Sequence, residues 1–347
     1  MEQSPTTTPA LPPAAQLSRM VASLWIPQTI HAAAVLGVAD AIGDAALDSA
    51  DVALTIGADA AATHRLLRAL VALELCRQDA DGRFALTRMG QCLRDDAPDS
   101  VRAWAELMGG EMVWNCWGRL VDCVRTGQPA PHLIAGKTAF EWIAAHPAEF
   151  AVFDRSMQQL TRRIASAIAA AYDFSAARMV VDVGGGHGAL LPAILTANPA
   201  LHGVVFDQPH CRAGAEALAA DAQLTARCRF VGGDFFSAVP AGGDVYLIKS
   251  VIHDWDDSHS LSILRACATA MAPTARAVVV EVLVPSAAGA SPLDQMIAGT
   301  DLNMLVNTGG RERTETAYRE LCAAAGLRVT RIISTPTPFS LIEARHA

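Results

Sequence analysis

The sequence predicts an α/β fold: a doubly wound, mostly parallel sheet preceded by a second, mainly helical domain. Three observations predict it. From Met179 to the end, short apolar runs alternate with helical patterns, the rhythm of parallel strands joined by crossover helices. The first run, Met179-Val180-Val181-Asp182-Val183, leads straight into Gly184-Gly185-Gly186-His187-Gly188 and the apolar start of a helix. Four later runs close at or near a polar residue: Asp207, Asp234, His253 and Glu281. Open sheets of this kind bind ligands at the carboxyl ends of their strands, where strand order reverses.

Composition sets the outer limits. The 347 residues suffice for two domains, or for one with a substantial appendage. With 52% apolar and 18% charged residues a large core is expected, and disorder only over the first thirteen residues. The net charge of −8 argues against a protein that coats nucleic acid. Eight cysteines without a C-x-x-C pair read as reduced, mostly buried thiols of a cytoplasmic protein. No apolar run approaches the ~20 residues of a membrane span, and the opening lacks the basic and apolar regions of a signal peptide.

Residues 14–42 are rich in Ala, Leu, Val, Ile and Met, with a kink expected at Pro27. Such helices are too apolar to face water alone, so they predict packing on their own domain or self-association into a homodimer. Next come two short helices, capped by Ser49 or Asp51 and by Asp59 or Thr63, and a hairpin around Asp81-Gly82. Helix, helix, hairpin is a winged-helix pattern and raises a ligand-sensing regulator as a rival. The acidic chain, with no basic stripe, argues against DNA binding. Residues 100–175 read as mostly helical and crowd Trp and Met side chains, which suit either a core or a flat aromatic acceptor.

The glycine loop has its own chemistry. Its Gly184-x-Gly186-x-Gly188 spacing is not that of the dinucleotide fingerprint, and no Lys-Ser/Thr pair follows, which excludes a P-loop. Asp182 would repel a pyrophosphate but suits a ligand with an ammonium group, such as S-adenosylmethionine. Asp207, 23 residues after Gly184, suits both hydroxyls of a ribose, a role that NAD would give it as well. Asp234 can accept from an adenine amino group while Phe235 covers the ring.

These residues resemble the class I S-adenosylmethionine-dependent O-methyltransferases of the plant phenolic and acetylserotonin type, whose bacterial members tailor natural products. The resemblance spans nearly the whole chain. It rests on residues 181–188 (VDVGGGHG), 233–236 (GDFF), 249–257 (KSVIHDWDD) and 307–314 (NTGGRERT). It implies a Rossmann-like methyltransferase domain over 176–347 and a winged-helix-like dimerisation domain over 14–100 that also covers the active site. Residues 101–175 would be a helical linker contributing to the acceptor pocket, after a disordered tail over 1–13. It implies Asp182 and Gly184 at the methionine end of the cofactor, Asp207 at the ribose, Asp234 and Phe235 at the adenine, and Lys249 at the cofactor's edge, with Gly186 and Gln208 also among the cofactor-binding residues. His253 would be the general base, flanked by Glu281 and Glu312. Met157, Asn303, Met304 and Asn307 would line the pocket of a small hydroxylated aromatic.

Two positions depart from the pattern. Gln208 stands where an apolar residue often follows the ribose-binding acid, which alters packing on the adenine. His187 occupies a position usually small or hydroxylated, and is expected to point to solvent. An ordinary histidine pKa near ~6.5 would leave the base neutral at pH 7. Asp254, Asp256 and Asp257 are expected to start a helix over 258–271 rather than to bind a metal, and no metal requirement is expected. Methyl transfer to nitrogen or carbon, or other chemistry on the same fold, is the alternative within the family.

Overall fold

The structure, a computed structural model, describes residues 11–347; most of the tail expected over 1–13 therefore lies outside the described residues. The described residues form two compact units, one running to Glu111 and the other from Met112 to Ala347.

The first unit is helical with a small wing. Helices Pro13–Ala22, Trp25–Val35 and Val38–Ile42 replace the single kinked stretch expected over 14–42. Pro27 lies in the first turn of the second helix, where a missing N–H leaves no bond unmade, so the chain breaks before the proline rather than bending at it. Helices Ser49–Ile56 and Ala60–Ala72 follow. Asp48, one residue earlier than expected, precedes the first, while Asp59 caps the second by accepting from the N–H of Ala62 at 2.8 Å. The wing is β1 (Cys76–Gln78) paired antiparallel with β2 (Phe84–Leu86), turning at Gly82 with φ +86°. Val52, Leu67, Leu70 and Phe84 fill its core.

The second unit opens with five helices, the last and longest being Pro147–Ala171. A seven-stranded sheet follows: β3 (Met179–Val183), β4 (His202–Asp207), β5 (Cys228–Gly232), β6 (Val245–Lys249), β7 (Arg276–Val282), β8 (Leu327–Ser334) and β9 (Phe339–His346). Its order is β5-β4-β3-β6-β7-β9-β8, parallel from β5 to β7, with β9 antiparallel to both neighbours. Winding reverses between β3 and β6, as doubly wound sheets require. Side-chain alternation sends Val180, Val205, Leu247 and Val280 to one face, under helices Pro147–Ala171 and Leu191–Ala197. Val181, Phe206, Ile248 and Val279 go to the other, under helices Asp257–Ala270 and Glu315–Ala324. Both faces are dry, so a polar side chain on these strands has a reason to be there.

Candidate active site

At the carboxyl end of β3 the backbone crosses into a helix through three glycines in the left-handed region: Gly184 (φ +70°), Gly186 (+55°) and Gly188 (+75°). A Cβ on Gly184 would come within 2.6 Å of Val251, and one on Gly185 within 2.7 Å of the Asp182 carboxyl, so the loop tolerates no side chain there. The loop is pinned to β4: the N–H of Gly184 donates to the Phe206 carbonyl (2.8 Å) and that of Gly186 to Asp207 Oδ2 (2.7 Å). Asp207 Oδ1 accepts from the N–H of Gln208, whose side chain is exposed.

Asp182 is 2% exposed, and its Oδ2 has no hydrogen-bond partner among the described residues. Burial raises its carboxyl to about 7; Lys249 works against that rise and Asp207 adds to it. A buried carboxylate oxygen left without a donor, beside a loop with no room for a side chain at Gly184 or Gly185, fits the ammonium end of S-adenosylmethionine and disfavours a phosphate.

The base expected from the sequence stands one strand away. β6 ends at Lys249, and Ser250 takes φ +52°, rare for a residue with a side chain, to turn the chain into the short helical turn Ile252–Asp254. The N–H groups of Val251, Ile252 and His253 all donate to one oxygen, Glu281 Oε1, at 3.1, 3.0 and 3.3 Å. Glu281 itself is fully buried on β7. His253 Nδ1 lies 3.0 Å from Glu312 Oε1 and 3.5 Å from Glu281 Oε2, and its Nε2 lies 3.8 Å from Asp254 Oδ1. Both expected carboxylates therefore flank the histidine, and a third, Asp254, joins them. Asp254 is thus not a helix starter: Asp256 caps helix Asp257–Ala270 through the N–H of His259.

The ionisation expected for His253 is overturned. Burial disfavours its cation, but Glu281, Asp254 and Glu312 outweigh burial and raise the imidazole to about 10, so at pH 7 it carries a proton. The same crowding of buried acids raises Glu281 to about 7 and Asp254 to about 6, with burial the largest cause in each. Lys249 Nζ, 3.1 Å from Thr161 Oγ1, faces Glu281, Asp182 and Asp254; burial nonetheless lowers its pKa. The site thus links Asp182 to His253 through a buried ammonium.

His187 is not turned to solvent. Its ring lies between helices Pro147–Ala171 and Arg212–Asp221, hydrogen-bonded to Gln158, with Nε2 3.5 Å from Asp154. Asp234 is exposed and already accepts from the N–H of Phe236 and the hydroxyl of Ser237, both at 2.9 Å. Phe235 lies against the Gly184 turn and packs with Phe236 and Trp255. Asn303 and Asn307 share a network on helix Pro292–Asn307: Trp117 Nε1 and Asn307 Nδ2 both donate to Asn303 Oδ1, at 3.0 and 2.9 Å. Met304 is half-buried on that helix and Met157 half-buried on Pro147–Ala171. Sequence reading missed Thr161, Asp154 and Gln158, which lie on Pro147–Ala171 at helical spacing from one another, a signal visible once that helix is recognised.

Comparison with known proteins places this geometry. The family model described as the O-methyltransferase domain matches residues 117–328, and the O-methyltransferase dimerisation domain matches 18–96. The chain is 42% identical to an O-demethylpuromycin-O-methyltransferase of Streptomyces alboniger, over 89% of this chain and 83% of that one. Human N-acetylserotonin methyltransferase, solved with S-adenosylmethionine, superposes with a TM-score of 0.89 at 28% identity, covering 98% of this chain and all of that one. An O-methyltransferase of neocarzinostatin biosynthesis, solved with S-adenosylmethionine and 2-hydroxy-5-methyl naphthoic acid, gives 0.77 at 36% identity, covering 93% and 96%. A glycine crevice set for a cationic donor, with an acid-held histidine beside it, agrees with both family matches: the chain belongs to the O-methyltransferase family.

Proposed function

We propose that this O-methyltransferase transfers the methyl of S-adenosylmethionine to the phenolic hydroxyl of a small aromatic natural product, with His253 as general base. When bound, the cofactor supplies an electrophilic methyl and leaves as a neutral thioether, so no acid is needed for the leaving group. Asp182, Gly184 and Gly186 hold its methionine end, Asp207 and Gln208 the ribose side, Asp234 and Phe235 the adenine, and Lys249 its edge. Asn303, Asn307, Met304 and Met157 bound the acceptor, in keeping with the aromatic acid held by the naphthoate enzyme.

His253 takes the proton from the acceptor hydroxyl, and Glu281 and Glu312 orient the ring and stabilise the imidazolium that forms. The carboxylates that hold a proton on His253 at neutral pH also make its free form a strong base, with a pKa of about 10. A phenol, near ~10 like tyrosine, is matched to it. The reaction draws on the small neutral fraction of His253 and gains from higher pH. The exposed apolar side chains of the first helices and the match to a dimerisation domain support a homodimer, and eight free thiols support the cytoplasm as its compartment.

The observation that carries this reading is a histidine held at 3.0 and 3.5 Å by two buried glutamates beside the glycine crevice. His253→Ala should lower kcat about 10²- to 10⁴-fold, the usual contribution of a general base, while calorimetry shows S-adenosylmethionine binding unchanged. Label transfer from methyl-labelled cofactor to a panel of phenols, read by mass spectrometry, measures it. Full activity of the variant at pH 7 would remove His253 from the mechanism.

A further inference from the structure

The backbone that presents His253 is held from two opposite sides. Its N–H groups end on Glu281; its carbonyls end on the segment Gly310–Arg313. The side chain of Arg313, 2% exposed, donates from Nη1 to the carbonyl of Ile252 (2.8 Å) and from Nη2 to that of Trp255 (2.8 Å). It also donates to Asp257 Oδ1 (Nε 3.1 Å, Nη2 2.9 Å), to Ser260 Oγ (3.1 Å) and to the Arg311 carbonyl (Nη1 3.4 Å). Ser260 Oγ donates to the same two carbonyls, at 3.1 and 3.3 Å. Of the two carbonyls between them, that of His253 accepts the N–H of Arg311 at 2.9 Å. Between Arg311 and Arg313 stands Glu312, whose carboxylate meets the imidazole. One three-residue stretch therefore grips both the backbone and the ring of His253.

We propose that Arg313 is a positioning residue for methyl transfer: its guanidinium fork fixes the Ile252–Trp255 turn so that His253 stays against Glu312 and Glu281. This rests on His253 being the base. A planar fork with donors in fixed directions can span two carbonyls three residues apart and a carboxylate at once; an ammonium cannot. Full burial denies those carbonyls water as a substitute, so a shorter side chain leaves the single hydroxyl of Ser260 to serve both and lets the turn relax. Displacement of the ring by about 1 Å suffices to cost about 10²-fold in rate.

The test compares Arg313→Lys, Arg313→Ala and Ser260→Ala with the wild-type enzyme by cofactor calorimetry and by pH–rate profiles with an accepted phenol. Arg313→Lys keeps the charge and loses the fork; kcat should fall about 10²-fold with cofactor affinity unchanged. The acid limb of its profile should move to lower pH, because a released imidazole loses its carboxylates. Guanidinium added below denaturing concentration should restore part of the activity of Arg313→Ala and none of that of His253→Ala. Ser260→Ala, which removes one donor from the same carbonyls, should shift the limb in the same direction by less. If Arg313→Lys keeps the wild-type kcat and acid limb while His253→Ala is inactive, the positioning role is wrong and the base stands. If a loss in Arg313→Lys merely tracks the folded fraction, with the acid limb unmoved, Arg313 is structural only. Full activity of His253→Ala would instead overturn the base assignment on which the role rests.

Discussion

Asp182 Oδ2 sets the terms for the cofactor crevice. An acceptor buried without a donor costs about 1–3 kcal/mol, and that cost remains until a cationic ligand meets it. Its carboxyl sits above the ordinary value, so folding favours the neutral form. The stability this adds is complete below the unfolded value near ~4 and is lost as pH rises through about 7. Asp182→Asn should therefore raise the melting temperature of the ligand-free protein at pH 8 while abolishing S-adenosylmethionine binding in calorimetry. A lower melting temperature would show that Lys249 depends on that charge more than the crevice suffers from it. The imidazole of His253 runs with the opposite charge. Its raised pKa makes the cation stabilising below ~6.5, and that stability is lost as pH climbs through about 10. Its activity as base should climb with pH over the same interval. Glu312→Gln removes a negative charge while keeping an acceptor oxygen for Nδ1, so the acid limb of kcat/KM should move to lower pH; an unmoved limb would place the titration elsewhere. At this scale the sequence showed which residues gather and not how they ionise. His253, Glu281 and Glu312 were legible from their motifs. The proton on His253 was not, because beside Glu281 and Glu312 it draws on Asp254, which in sequence looks like one more acid opening a helix and in space closes the ring of carboxylates.

The elements show how an irregular turn is made rigid. Six residues at the end of β6, from Ser250 to Trp255, carry little regular structure, yet Glu281 and residues 311–313 between them bond three N–H groups and three carbonyls of the turn. The close approach behind this is at Gly310, where a Cβ would stand 2.0 Å from the His253 carbonyl oxygen and 2.5 Å from the Asp254 carbonyl carbon. Backbone cannot yield as a flexible side chain can, so Gly310→Ala should push the two segments apart and cost activity about 10²-fold or more. Cofactor binding, on the far side of Lys249, should persist in calorimetry; wild-type turnover would mean that the turn adapts freely. Strand placement, helix Asp257–Ala270 and the wing were legible because alternation, caps and Asp-Gly act over a few residues. The inward face of helix Pro147–Ala171 was not. Thr161 meets Lys249 across 88 residues of sequence and Gln158 meets His187 across 29, and no local period encodes a partner at that distance. The same contact explains why the solvent orientation expected for His187 fails: a polar ring in a glycine loop has nowhere to go until that helix supplies Asp154 and Gln158.

For the molecule as a whole, the unsettled surface is at its start. Helix Pro13–Ala22 has no buried residue among its ten, and Met20, Val21 and Trp25 are 70, 67 and 68% exposed. An isolated ten-residue helix is marginal in water, and most helical stability comes from packing an apolar face. Three large apolar side chains at 20, 21 and 25, with Leu17 and Leu24 beside them, make a stripe that a single chain leaves wet, which monomers rarely do. The second copy proposed above is the cover that fits, since a two-fold contact would let one apolar stripe meet its own image and the dimerisation-domain match spans Met20 to Trp25. Light scattering after size exclusion should then give the wild-type protein twice its 36.5 kDa chain mass. Replacing Met20 and Trp25 together by Glu, which places two charges in the contact, should return one chain mass and lower the melting temperature. Because every residue of the glycine crevice and the His253 turn lies beyond residue 111, S-adenosylmethionine should still bind the separated chains in calorimetry. A wild-type protein with the mass of one chain would show that the stripe serves some other contact.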